Sequence, residues 1–387
     1  MSVFGLASST WCEEEKEAVI EVLKSDSFTM GRNVREFEEE FASHFGMKYA
    51  VMANSGSSAN LIAVASLFYR SDRPLKRGDE VIVPCISWST TFHPLHQYGL
   101  KLRFVDIDIE TLNYDIEALR KAVTKKTRMI VAVSILGNPC RFDEITKICR
   151  EKDLILFEDN CESMGAKFNG RYTGTFGLVN TFSTFFSHHI STMEGGLVLT
   201  DDKEIYNILK AVRNHGWTRD QDKDSPIFSR KDDDFFEAYR FILPGYNVRP
   251  GEIHGAIGKM QLKKLDEFVA ERRKNARHFT GLFKDDKRFI IQKESGESSW
   301  FCFTMIVNPA SGLERKAVLE KLKAAGIEYR IITGGNILRH DVVKYYDYTV
   351  AGSKNADTAH YNGFFVGNHP QDIRDKIDHL HKTLKAL

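Results

Sequence analysis

Two kinds of hydrophobic pattern alternate along the first half of the chain. Residues 12–25 and 34–45 place apolar side chains at helical spacing among many Glu and Lys, which predicts two amphipathic helices. Short apolar runs then recur, each followed by a turn and an amphipathic stretch. The runs Tyr49–Ala53, Glu80–Pro84, Leu102–Val105, Met129–Val133 and Leu154–Phe157 read as strands, and 58–68, 115–123 and 142–151 read as helices. Strand and helix in alternation mean an α/β domain on a largely parallel sheet. Such sheets bind ligands in the crevice beyond the carboxyl ends of their strands.

The pattern changes after residue 216. The stretch 217–240 is rich in Asp, Lys and Arg and only weakly periodic, which suggests a surface excursion or a loop between subunits. Long helices are expected over about 251–285, ending in the charged run Lys284–Arg288. Phe301–Val307 alternates like a strand, and Glu314–Ala325 reads as an amphipathic helix closed by Gly326. These features divide the chain into a large domain over 1–285 and a small α+β domain over 286–387.

Charge and composition narrow the function classes. Lys+Arg total 54 against 53 Asp+Glu in 387 residues, so no net field draws the chain to nucleic acid or a membrane surface. An anionic ligand has to be held by local groups. The N-terminal MSVFGLASSTW has no basic start or signal-length apolar run, and the apolar stretch around Met129 to Leu136 is too short to span a bilayer, so a cytoplasmic location is expected. Six cysteines (Cys12, Cys85, Cys140, Cys149, Cys161, Cys302) show no ligand-like spacing and read as reduced thiols, with no metal site expected.

Three segments carry candidate chemistry. Asn54-Ser-Gly-Ser-Ser-Ala-Asn60 lies between a strand and a helix, where the N–H groups of Gly56, Ser57 and Ser58 can face an anion; an ordinary serine N-cap would look the same. Asp153-Leu-Ile-Leu-Phe-Glu-Asp-Asn160 ends an apolar run in Glu158-Asp159, placing a carboxylate at the crevice, where burial calls for a positive partner. A protonated pyridine nitrogen would serve, and so would a purely structural role for the carboxylate. In Thr181–Gly196 two adjacent histidines, His188 and His189, precede a Gly195-Gly196 turn; adjacent side chains diverge, so one buried and one solvated histidine is the plain expectation.

Taken in order, SGSSAN, EDN, FS…HHIS…EGG and Gly245-Tyr-Asn-Val-Arg249 resemble the sugar aminotransferases and dehydratases of the aspartate aminotransferase fold, from Phe28-Thr-Met-Gly31 to the C-terminal domain. The resemblance implies a fold-type-I, three-layer large domain and pyridoxal 5'-phosphate or pyridoxamine 5'-phosphate as cofactor. By the same resemblance, Gly56, Ser57 and Ser183 would hold the cofactor phosphate, and Trp88 would stack on the ring. Asp159 would meet the ring nitrogen and Glu162 would lie near the ring hydroxyl, where many relatives have glutamine. Asn247 would reach the phosphate from the neighbouring subunit, implying a homodimer with shared sites, while His215 and Arg330 lie in segments that line the substrate site or are simply surface.

Position 188 departs from the aminotransferase pattern. Relatives that transfer an amino group carry a lysine there, tethering the cofactor covalently; this chain has His188, and no lysine occurs between Lys167 and Lys203. Members with histidine at this position resemble sugar 3-dehydratases of the kind that leads to colitose. That implies a noncovalent cofactor, L-glutamate as amino donor and a nucleotide-linked, GDP-linked 4-keto-6-deoxy sugar of the mannose series as substrate. The implied products are a 4-keto-3,6-dideoxy sugar and ammonia. His188, with an ordinary imidazole pKa near about 6.5, would move the proton that lets the C3 hydroxyl leave. Three other readings are an iron–sulfur-coupled dehydrase, an aminotransferase and a non-catalytic cofactor-binding protein; scattered cysteines, the missing lysine and the absence of a basic patch argue against them in turn.

Overall fold

The computed structural model describes residues 3–387. Its strands, in chain order, are β1 (Tyr49–Ala53), β2 (Glu80–Pro84), β3 (Lys101–Val105), β4 (Thr127–Val133), β5 (Ile155–Asp159), β6 (Lys167–Phe168), β7 (Arg171–Tyr172), β8 (Val179–Ser183), β9 (Gly196–Thr200), β10 (Phe289–Ile291), β11 (Cys302–Val307), β12 (Tyr348–Val350) and β13 (Gly363–Gly367). Eight of them form one sheet in the order β1-β9-β8-β5-β4-β2-β3-β12. Every neighbouring pair is parallel except the two that involve β9, so only that strand runs backwards.

Alternation along the strands builds three layers. Val51, Ala53, Val81, Val83, Val131 and Phe157 point into one core with the helices Gly56–Tyr69 and Lys203–Arg213. Ala50 and Met52 face the helix Arg32–Phe45 on the other side, and Ile82, Ile130, Ala132 and Leu156 face the helix Phe142–Lys152 there. Side chains buried on both faces are what a sheet covered by crossover helices requires. Helix Arg32–Phe45 forms because Val34, Phe37, Phe41 and Phe45 recur at three- and four-residue spacing, all buried, and it stops where Gly46 turns to φ +68°. Its first N–H groups are satisfied from a distance: the Glu252 carboxylate accepts from Gly31, Asn33 and Val34 at 2.9, 2.9 and 3.0 Å.

The expected long helical region resolves into Glu252–Leu262 and Leu265–Phe283. Beyond it, β10-β11-β13 make a small antiparallel sheet. It is backed by Phe279, Phe283, Val318, Leu322, Leu380 and Phe4, the last from the chain's beginning. β12, from the C-terminal stretch, joins the large sheet beside β3, so the 286–387 segment is stitched into both sheets. Residues 217–240 are irregular, with short turns at Thr218–Asp220 and Asp234–Glu237, and Phe235 is 94% exposed. No helix among the described residues is long and apolar enough to cross a membrane.

Candidate active site

The carboxyl ends of β1, β5 and β8 meet at one crevice. Register sets this: Gly196 lies opposite both Ala53 and Ser183, and Asp159 lies opposite Val133 and Thr181. After Ala53 the chain turns into helix Gly56–Tyr69, with Ser55 as its N-cap accepting from the Ser58 N–H at 3.0 Å. The cap thus takes the Ser58 N–H that was expected to serve an anion, leaving Gly56 and Ser57 as the first-turn donors. The serine cap of this segment is therefore observed, and it is compatible with an anion at the Gly56 and Ser57 amides. Gly56 is needed for its size: a Cβ there would stand 2.6 Å from the Ser183 Cβ and 3.0 Å from its Oγ.

Asp159 is the centre of the crevice floor. It is 4% exposed and accepts from Asn60 Nδ2 at 3.0 Å, Thr91 Oγ1 at 2.7 Å and the Cys161 N–H at 3.2 Å. None of these donors is charged, and no ion pair reaches it among the described residues. A buried carboxylate without a cation is expensive, so Asp159 is suited to pair with a positively charged ligand atom. Its neighbour Glu158 is structural, fully buried and capping the Gly174–Gly177 turn through backbone N–H groups. Trp88 stands at the N-cap of the helix Ser89–Gln97 after β2, three residues before Thr91, and is 59% exposed.

The loop between β8 and β9 presents the histidines. Its neck is closed by the Thr184 and Thr192 hydroxyls at 2.5 Å and by the Thr184 N–H donating to the Gly195 carbonyl at 2.9 Å. His189 is fully buried, with Nε2 at 3.2 Å from the Ser299 carbonyl. His188 is partly exposed to the crevice, with Phe185 and Phe301 edge-on at 5.9 and 5.3 Å. Its Nδ1 lies 3.3 Å from the Ser183 carbonyl, a contact that requires Nδ1–H and leaves the Nε2 lone pair free. Burial pushes the His188 pKa down to about 4, against the pull of the Ser183 carbonyl and Asp159. The ordinary imidazole basicity expected from the sequence is therefore not what the site provides.

Glu162 is held from two sides. It accepts from the Leu136 N–H at 3.0 Å and from Thr333 Oγ1 at 3.3 Å, and burial pushes its pKa up to about 7. Leu136 and Thr333 both sit at positive φ, +53° and +40°, a costly backbone for non-glycine residues of the sort that clusters at functional sites. Sequence reasoning missed Asn60, Thr91, Leu136 and Thr333. Asn60 alone left a signal, standing one helical turn below Gly56 on the face that meets the sheet.

Other expected residues lie elsewhere in the single chain. Asn247 is exposed and bonded by its Oδ1 to Arg249 Nε at 3.0 Å. His215, at φ +60°, donates its N–H to the Tyr246 carbonyl at 2.7 Å, so it shares one exposed loop cluster with Asn247. Arg330 is exposed, with a guanidinium N–H on the Tyr329 carbonyl at 2.9 Å. No hydrogen bond joins these three to His188, Asp159 or Glu162 among the described residues.

The chain is similar over its length to proteins of one family. The model of the DegT/DnrJ/EryC1/StrS aminotransferase family matches residues 10–385. The chain belongs to that family. A relative within reach of the DegT/DnrJ/EryC1/StrS group, GDP-4-keto-6-deoxy-D-mannose 3-dehydratase of Escherichia coli O55:H7, is 55% identical over 387 residues, 99% of each chain. The structure of the E. coli GDP-4-keto-6-deoxy-D-mannose-3-dehydratase with bound hydrated PLP superposes with a TM-score of 0.98, at 55% identity over 99% of this chain and 100% of that one. A second structure of a GDP-4-keto-6-deoxymannose-3-dehydratase, with a trapped PLP-glutamate geminal diamine, gives 0.97 at 54% identity over 98% of this chain and 100% of that one.

Proposed function

We propose that the chain removes the C3 hydroxyl of GDP-4-keto-6-deoxy-D-mannose, with L-glutamate as amino donor and noncovalent pyridoxal or pyridoxamine 5'-phosphate as cofactor. The products are the GDP-linked 4-keto-3,6-dideoxy sugar, 2-oxoglutarate and ammonia. The observation that carries this reading is the β8–β9 loop, which offers the crevice an imidazole at His188 and no amine. When bound, the cofactor supplies an amine for the C4 ketone and a ring that takes up the electrons needed to expel the C3 hydroxyl.

The arrangement of the crevice supports the following division of roles. The Gly56 and Ser57 amides, the dipole of their helix and the Ser183 hydroxyl would hold the phosphate. Trp88 would stack on the ring, and Asp159, oriented by Asn60 and Thr91, would keep the ring nitrogen protonated. Glu162, with its pKa pushed up to about 7, is part protonated at neutral pH and can donate to or accept from the ring oxygen. His188, fixed with Nδ1–H on the Ser183 carbonyl, accepts the proton at Nε2. Because burial disfavours its charged form, the ring passes the proton on to the departing hydroxyl rather than keeping it.

Asn247, exposed on its loop, would reach the cofactor phosphate in a second subunit, making the working unit a homodimer, and His215 and Arg330 would line the substrate site. With all six cysteines as free thiols, the setting is the reducing cytoplasm. Mass spectrometry of a reaction with GDP-4-keto-6-deoxy-D-mannose, L-glutamate and cofactor tests the whole assignment. The expected product is a sugar nucleotide lighter by one oxygen atom, formed together with 2-oxoglutarate. A product that keeps its C3 oxygen and gains nitrogen would make the chain an aminotransferase.

A further inference from the structure

Behind the two histidines lies a guanidinium that has no carboxylate. Arg272, on the helix Leu265–Phe283, is 4% exposed and forms no ion pair among the described residues. Its Nη1 donates to the Phe301 carbonyl at 3.0 Å and the Asn368 carbonyl at 2.6 Å, while its Nε is buried without a partner. Asn368 returns the contact, donating from Nδ2 to the Arg272 carbonyl at 3.1 Å and the Trp300 carbonyl at 2.8 Å. The knot holds the Ser299–Phe301 turn, in which Trp300 sits at φ +47°. That turn touches both histidines: the Phe301 ring is 5.3 Å from His188 and 5.7 Å from His189, and the Ser299 carbonyl meets His189 Nε2.

A buried cation without a counter-ion costs stability, and an apolar side chain of similar size would fill this space more cheaply. Burial lowers the Arg272 pKa only to about 10, so the charge persists at neutral pH. We propose that Arg272 is a positioning residue for His188, fixing the turn against the imidazole and setting a permanent positive charge behind it that keeps the ring in its neutral, proton-accepting form. The groups that face His188 are few. Asp159 on β5 pulls toward the charged ring; Arg272 opposes it; His189, on the same loop, is held neutral by burial and by Arg272 and Arg273. Phe185 and Phe301 contribute no charge.

The inference rests on His188 being the proton acceptor, and its test is made on the cofactor-free protein so that the two can fail separately. The His188 ring is followed by NMR titration of histidine-labelled protein, its signal identified by its loss in His188→Asn. Arg272→Gln keeps donors for the two carbonyls but removes the charge, and Arg272→Met removes both. Removing a positive charge behind the ring favours its charged form, so His188 should titrate at higher pH in either neutral variant. Arg272→Lys keeps the charge and should titrate with wild type. A His188 titration unmoved in Arg272→Gln or Arg272→Met overturns the proposal. If neither neutral variant folds, a lysine variant titrating at higher pH overturns it equally. Dehydration that survives His188→Asn would sink the acid–base reading and leave the electrostatic result standing.

Discussion

At position 188 the chain holds a ring that can carry a proton and cannot anchor a cofactor, and both properties are measurable in one variant. His188→Asn keeps a polar side chain but has no acid or base function near neutral pH. Dehydration should fall by about 10²- to 10⁴-fold, the usual effect of losing a general base. Cofactor content should stay near wild type, because Gly56, Ser57, Ser183 and Asp159 do not depend on the imidazole for their place. Rate and cofactor occupancy measured on the same preparation separate the two, and near-wild-type turnover would assign the proton to another group. Position 188 was legible in the sequence because a missing lysine is a discrete signal. Its depressed basicity was not, since that comes chiefly from burial, to which Phe301 from a distant segment contributes, with a smaller push from Arg272.

Among the elements, the parallel strands were the most legible, and for a physical reason. β1 and β2 match their apolar runs end to end, because strands covered on both faces need unbroken hydrophobic stretches. β12 could not be seen: Tyr348, Thr349 and Val350 are all exposed, and only pairing with β3 makes them a strand. The first helix, Glu13–Lys24, illustrates a docking that its own pattern does not reveal. Glu15 is fully buried, where it accepts from the Cys12 N–H at 2.8 Å, Gln261 Nε2 at 2.8 Å and Lys264 Nζ at 2.7 Å. Burial raises its pKa, but the Lys264 ammonium and the other donors outweigh that and hold it at about 2, below the ordinary 4.5. A folded-state pKa below the unfolded one gives stability that is present above about pH 4.5 and lost as pH falls toward 2. Glu15→Gln should therefore cost about 1–3 kcal/mol in denaturant unfolding at pH 7. The gap between variant and wild type should narrow as the pH drops below about 4.5. A gap that stays constant across that range would mean the carboxylate's charge is not what docks the helix.

On the scale of the whole molecule, the proposed sharing of Asn247 between subunits would leave a single chain an incomplete enzyme. Asp159 and Glu162 lie at the crevice with His188 on the loop between β8 and β9, while Asn247 and His215 share a loop cluster with no hydrogen bond to these three among the described residues. Nearby, Phe235, Tyr239 and Phe241 are 94%, 72% and 58% exposed, more aromatic surface than an isolated chain ordinarily leaves in water. A two-fold partner would cover such a surface and bring its own Asn247 to this crevice, each subunit returning the contact as symmetry requires. Mixing decides whether Asn247 acts across the interface. His188→Asn and Asn247→Ala are each defective as homodimers. In a hybrid, one site would collect both lesions and the other would have wild-type His188 with wild-type Asn247. Subunits exchanged in equal amounts should then recover about a quarter of the wild-type activity, since about half of the dimers are hybrids with one sound site each. If Asn247 served its own chain, every site in the hybrid would carry one lesion and no activity would return on mixing. Exchange is confirmed by native mass spectrometry on the same sample, so a lack of recovery in a mixture that does contain hybrids places Asn247 in its own subunit's site.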